Sequence, residues 1–220
     1  FEFFWFPHTE TAFVKTMNET DAERTGAGGD FDSTVENVVW EGLCRLSTAV
    51  PSTAPYATRL VARSFSADRA VGPSHEVFAH DRSVRFTESE WSLPADEIAP
   101  AVRKLRRWIE RSEEPVTFPV EVRYAAGDDI PLSPAYGRDS GFIAVHKYHR
   151  KPHETYFDAA ASRFRARGGR PHWGKLHSLD GGDAARLYPE WDQFQEIRRE
   201  CDPDGLFQNA HLNRLFGVRD

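Results

Sequence analysis

Near its middle the chain alternates strictly between apolar and charged residues. Phe118, Val120, Val122 and Tyr124 stand on one side of an extended segment, and Glu121 and Arg123 stand on the other. A period of two with one apolar face predicts a strand in a sheet that is packed on one side only, so a helical layer has to cover that side. Phe142 to Tyr148 reads as its partner strand. Between them Asp128, Asp129, Pro131, Pro134 and Gly137 predict a turn-rich connection, longer than a hairpin loop.

Other elements follow from punctuation and period. The opening FEFFWF, Phe1 to Phe6, has the composition of a buried strand running into Pro7. It is expected to be an internal stretch of a longer protein, and its aromatics offer a surface for the rest of that protein or for a second copy of the isolated chain. Asn18 to Ser33 reads as an exposed loop. Its Gly26, Gly28 and Gly29 match neither GxGxxG nor a P-loop. A helix from Thr34 to Ser47 is expected to turn Val35, Val38, Val39, Leu43 and Leu46 inward, and a second covers Tyr56 to Phe65. Val84 to Leu93 predicts a strand ending at Pro94. Ile98, Val102, Leu105 and Ile109 then mark the inner face of a helix whose Arg103, Lys104, Arg106, Arg107 and Glu110 face solvent. A helix from Glu154 to Ala166 should stop at Gly168 and Gly169. A last one from Ala184 to Glu200, with Leu187, Trp191, Phe194 and Ile197 inward, ends at DPDG. The irregular alternation of strands and helices, without a phosphate-binding βαβ turn, predicts an α+β fold: an antiparallel sheet flanked by helices.

Composition narrows the function. A formal charge of -6 and a pI near 5.9 give no basic footprint for nucleic acid, which favours small-molecule chemistry. Two cysteines, Cys44 and Cys201, suggest neither a disulfide framework nor a zinc site, and a reducing cytoplasm suits them, with or without membrane association.

Three groups of residues could carry chemistry. Glu121 and Arg123, two apart on one strand, leave the same face about 6.5 Å apart and form either a charged clamp in a cleft or an exposed ion pair. GGRPHWGK, Gly168 to Lys175, offers a cation in Lys175, a rigid wall in Trp173 and a polar group in His172, or else a capped turn around a packed Trp. His146, His149 and His153 lack helical i, i+4 spacing, so no metal is expected. His146 remains a candidate because its strand lies beside Glu121 and Arg123.

Six segments in order carry a resemblance: FEFFWFPHTET, RFTESEWSLP, FPVEVRY, LSPAYGRDS, GGRPHWGK and DPDGLFQNAHLNRLFG. With them the chain resembles the C-terminal part of the sugar-1,4-lactone oxidases, the D-arabinonolactone, L-gulonolactone and alditol oxidase group of the vanillyl-alcohol-oxidase flavoprotein superfamily. The resemblance implies a substrate-cap domain over 1–170 and a segment over 171–220 that returns to an N-terminal FAD domain, which this chain lacks. It implies FAD as cofactor, a sugar lactone or polyol as substrate, and oxygen or another electron acceptor. Glu121 would bind substrate hydroxyls, and Arg123 would hold the sugar or stabilise the anionic reduced flavin. His146 or Lys175 would take the hydroxyl proton as hydride leaves. Trp173, Lys175 and Asn209 would touch the flavin ring. With no glycine turn for the pyrophosphate, the chain alone is not expected to hold FAD tightly. The alternatives are an alditol oxidase and, in another class, a noncatalytic carbohydrate-binding or interaction module.

Overall fold

A computed structural model of the chain describes residues 1–25, 34–65, 69–78 and 84–218. Its strands are β1 (Glu2–Trp5), β2 (Ala12–Lys15), β3 (Phe86–Pro94), β4 (Val120–Ala125), β5 (Ser140–Tyr148) and β6 (Arg170–Pro171). They form one six-stranded sheet in the order β2-β1-β4-β5-β3-β6, and every pairing of neighbours is antiparallel. The helices are α1 (Thr34–Ala49), α2 (Ala54–Ser64), the single turn α3 (Ser74–Val77), α4 (Ile98–Arg111), α5 (Glu154–Arg165), α6 (Gly181–Leu187), α7 (Trp191–Cys201) and α8 (Ala210–Phe216). The fold is α+β, as the pattern predicts.

Register sorts the side chains into two faces. The row Phe3, Val122, Ile143, Trp91 crosses four strands on one side, and the next row, Phe4, Glu121, Ala144, Glu90, crosses the same strands on the other. On the apolar side α4 contributes Ile98, Ala101, Leu105 and Ile109, and α5 contributes Tyr156, Phe157, Ala160 and Phe164, against Trp91, Leu93, Val120, Val122, Ile143 and Val145. The fit is close at Gly141 on β5. A Cβ there would lie 2.2 Å from Ile98 Cγ1, so only glycine lets α4 come this near the strand.

A second cluster joins Trp40 and Cys44 of α1 and Val61 and Ala62 of α2 to Phe6, Phe118 and Tyr148, closing one end of the sheet. A third lies in the C-terminal helices, where Leu179, Ala184, Tyr188, Trp191 and Leu215 are buried with Trp173 and Phe194 packed beside them.

Several expectations need correction. α1 turns Trp40, Cys44 and Ser47 inward and leaves Val38, Val39 and Leu46 exposed. Leu43 is partly buried, and the side chain of Val35 lies outside the described residues, as do Gly26, Gly28 and Gly29. The helix has two apolar stripes, and the one holding Trp40 wins because an indole against Phe118 buries more area than a pair of valines. Phe118 does not share the face of Val120. The ladder starts after Pro119, which has no N–H to give it, and Phe118 packs with Trp40 and Phe86 instead.

The long helix from Ala184 is broken into α6 and α7 around Pro189, and Ile197 is exposed while Gln195 is buried. The opening aromatics are not a free surface either. β2 returns to pair with β1, so β1 is an interior strand, with Trp5 and Phe6 buried and only Phe1 of the six left more than half exposed, at 55%.

Candidate functional site

β4 places Glu121 and Arg123 on the polar face, β5 places His146 there, and β3 adds two carboxylates, Glu88 and Glu90. Lys175 arrives by backbone pairing. After β6 the chain continues along β3, His172 N–H donating to Glu90 O at 2.9 Å and Leu176 N–H to Glu88 O at 2.9 Å. Lys175 is therefore carried on a strap whose position is set by the strand bearing its partners.

The side chains form one connected network. Lys175 Nζ donates to Glu88 Oε1 at 2.5 Å and also to Glu90 Oε2. Arg123 Nη2 donates to Glu90 Oε1 at 2.5 Å, and its Nε stands 3.3 Å from Glu121 Oε1. His146 Nε2 lies 3.5 Å from Glu88 Oε1, and its Nδ1 lies 3.1 Å from Pro119 O. A carbonyl can only accept, so Nδ1 carries the proton, and in the neutral ring Nε2 is the basic nitrogen. Glu121, Arg123, His146 and Lys175 thus come together, although Lys175 is remote in sequence.

Burial decides between the two readings of the Glu121–Arg123 pair. Glu90 is 2% exposed and Glu121 7%, whereas the Arg123 side chain is 44% exposed. This is not a surface ion pair. A carboxylate buried to that degree costs several kcal/mol unless cations and hydrogen bonds offset it, which Arg123 and Lys175 do here.

The network polarises its members. Burial alone would raise the Glu88 carboxyl, but the protonated form of His146 and the Lys175 ammonium, both able to donate to it, outweigh burial and bring it down to about 2. Burial alone would lower Lys175, and Glu88 and Glu90 overcome that and raise it. Burial likewise opposes the Arg123 charge, which Glu90 and Glu121 restore and raise above its ordinary value. Lys175 is accordingly a cation, suited to holding an oxygen rather than taking its proton.

The remaining expected residues have visible structural work. Trp173 donates Nε1–H to Tyr188 Oη at 3.1 Å and stands edge-on to Tyr188 and Trp191, a pillar of the C-terminal cluster. Asn209 caps α8, its Oδ1 accepting from Leu212 N at 3.0 Å. His172 is exposed and accepts from Gly174 N at 3.0 Å.

Sequence reasoning missed Glu88 and Glu90. Their signal was present: if Trp91 points into the core, Glu88 and Glu90 of TESEW must leave the opposite face. It also misjudged Arg106, which is not a plain solvated charge but joins Glu10 of the β1–β2 turn to Glu110 of α4. Those residues line a cavity of about 460 Å³ with His8 and Arg59. Three of its charged walls, Arg106, Glu10 and Glu110, already pair with one another at the surface, which makes the buried charges of the sheet face the better candidate site.

FAD can be tested against these residues in two halves. At the ring end Arg123, its side chain 44% exposed, can turn guanidinium N–H groups that Glu90 and Glu121 do not occupy toward a flat ring, by hydrogen bonding rather than by surplus charge. For the pyrophosphate, α2, α4, α5 and α7 do not open on glycines, and α6, which opens on Gly181 and Gly182, is 7 residues long, so with these helices the fit covers the ring end only.

An antiparallel sheet packed by helices on one face, with a charged network assembled from three strands and a strap on the other, defines a unit of the α+β class. The chain belongs to the D-arabinono-1,4-lactone oxidase family, whose profile matches residues 1–215. It is 37% identical to an L-gulono-1,4-lactone dehydrogenase of Mycobacterium tuberculosis over 99% of its own length and 51% of that protein. It is 34% identical to an L-gulonolactone oxidase of Scyliorhinus torazame, over 98% of this chain and 51% of the relative. An alditol oxidase of Streptomyces is 32% identical over 66% of the chain and 36% of that protein. The chain thus spans about half the length of the first two relatives.

Proposed function

We propose that this chain is the substrate-binding and catalytic-cap part of an FAD-dependent oxidoreductase that oxidises a sugar-1,4-lactone. Residues 1–170 form the cap, and 171–220 complete an FAD domain supplied mainly by an N-terminal part. The observation that carries the reading is the buried charge network, which a noncatalytic module would have little reason to maintain at such cost.

Its charges suit a neutral polyhydroxylated ligand. Glu88, Glu90 and Glu121 face Arg123 and Lys175, so both cations are already matched and none is left over for a ligand carboxylate. Glu121 accepts hydrogen bonds from substrate hydroxyls, and Arg123 and Lys175 hold the oxygen of the carbinol being oxidised. His146 takes the hydroxyl proton on Nε2, and the neighbouring Glu88 carboxylate stabilises the imidazolium that results. Bound FAD would supply the acceptor for the hydride leaving the same carbon, with oxygen or another acceptor recovering the electrons.

A second reading keeps the site and changes the substrate to an open-chain alditol. It is favoured by the similarity to an alditol oxidase over 155 residues. Turnover of the full-length enzyme on a panel of aldono-1,4-lactones against a panel of alditols separates the two, and carbohydrate binding without turnover on either panel would leave the noncatalytic module. The cofactor half is tested on the isolated chain: passed through a desalting column after excess FAD, it should emerge colourless. A yellow protein with stoichiometric flavin would place the cofactor site within these 220 residues. Among the described residues no helix is long and apolar enough to cross a membrane.

A further inference from the structure

We infer that Glu90 is a positioning residue, a buried carboxylate that ties Arg123 to Lys175 across the sheet and sets where both cations meet the substrate. The inference rests on the proposed reading in one respect, that these cations face the substrate.

The problem Glu90 solves is one of distance. Arg123 is on β4 and Lys175 on the strap beyond β3, with β5 and β3 lying between, so their backbones are separated by roughly 14 Å at the usual strand spacing. Two mobile cations that far apart would each fold back on the nearest carboxylate, Arg123 on Glu121 and Lys175 on Glu88. Both of those contacts are made, and Glu90 adds a common tie between the two cations, using one oxygen for each, Oε1 for Arg123 Nη2 at 2.5 Å and Oε2 for Lys175.

Register opens the path. Glu121, Ala144 and Glu90 stand in one row across β4, β5 and β3, and Ala144 is 1% exposed. A methyl at the middle of that row leaves a lane through which the guanidinium crosses β5. A larger side chain would close it. Glu90 itself is 2% exposed, so it is shielded from the solvent in which a competing hydrogen bond would form. Its two partners consume both carboxylate oxygens, which leaves Glu90 to act through the cations and Glu121 to meet the substrate.

The test uses the full-length protein and has one arm that needs no substrate. Competitive acetylation with acetic anhydride, read at Lys175 by mass spectrometry as a function of pH, measures its ionisation. Glu90→Gln keeps the shape and removes the charge, so the labelling profile of Lys175 should move down by about one pH unit or more. Turnover should fall on the order of a hundredfold, with most of the loss in kcat, because both cations lose their common anchor. Glu90→Asp should restore the labelling profile while turnover stays low, since the shorter side chain keeps the charge without spanning both partners.

Ala144→Leu supplies an independent variant should Glu90→Gln fail to fold. It closes the lane, so Arg123 is cut off and turnover falls while Lys175 labels as in the unmodified protein. Unmodified labelling in Glu90→Gln, or unmodified turnover in Ala144→Leu, overturns the inference. If the unmodified enzyme oxidises neither lactones nor alditols, the proposed function fails, and the labelling arm still decides the role of Glu90.

Discussion

The two faces of the sheet use the same strands one residue out of step. Phe3, Val122, Ile143 and Trp91 meet two helices and are tightly packed, while Phe4, Glu121, Ala144 and Glu90 build a charged lattice. On the first face, burial supplies free energy in proportion to area. On the second, burial consumes it, and the ion pairs roughly repay the desolvation they incur. One face therefore stabilises the fold, and the other spends part of that stability on holding side chains in place.

That division is open to direct attack. Trp91→Ala, at a fully buried indole on the packed face, should lower unfolding free energy by about 3–5 kcal/mol in urea titrations of the chain. On the charged face the loss should fall on activity: Arg123→Ala in the full-length enzyme should reduce kcat/KM about a hundredfold, near 3 kcal/mol, while Lys104→Ala on the exposed side of α4 leaves it unchanged. Equal turnover in those two variants would reduce the lattice to a structural device. Gly141→Ala then sharpens the packed side, because the new methyl meets Ile98 and should cost about 1–3 kcal/mol of stability with no change in substrate preference.

The smallest effect is a pH signature. The Glu88 carboxyl sits near 2 in the fold against 4.5 unfolded, so its contribution is complete above pH 4.5 and is lost as pH falls toward 2. Away from the sheet, burial and then the neighbouring His211 hold His177 near 4 against an ordinary 6.5, so its contribution is lost earlier, between pH 6.5 and 4. Acid titration of the melting temperature should show two separate losses. Glu88→Gln should remove only the lower one and His177→Gln only the upper.

Alternation made the sheet legible. Glu121, Arg123 and the apolar row opposite them follow from period alone, and α4 follows from Ile98, Leu105 and Ile109. Convergence with Lys175 rested on the unusual composition of the HWGK turn, since sequence distance says nothing about which strand a strap will follow. Glu88 and Glu90 were readable from Trp91, but a glutamate in a Ser- and Thr-rich strand looks like an ordinary solvent-facing residue until a cation is known to arrive from elsewhere. The face chosen by α1 was not readable. Two stripes competed there, and the winner depends on Phe118, which Pro119 displaces from the strand's own alternation.

The strap from His172 to Leu176 has a consequence for how such a chain tolerates change. Its two backbone hydrogen bonds to β3 work as a ruler, counting Lys175 into place against Glu88 and Glu90 independently of what comes afterwards. Inserting or deleting residues in the turn before α6, or between α7 and α8, lengthens a connection that the ruler does not read. Adding one residue between Pro171 and Lys175 shifts the count, sets Gly174 where the ammonium belongs, and strips Glu88 and Glu90 of their shared cation, leaving Glu90 to Arg123 and Glu88 to His146. Length variation should therefore be harmless on one side of Leu176 and ruinous on the other, a boundary that is sharp to a single residue although no sequence motif ends there.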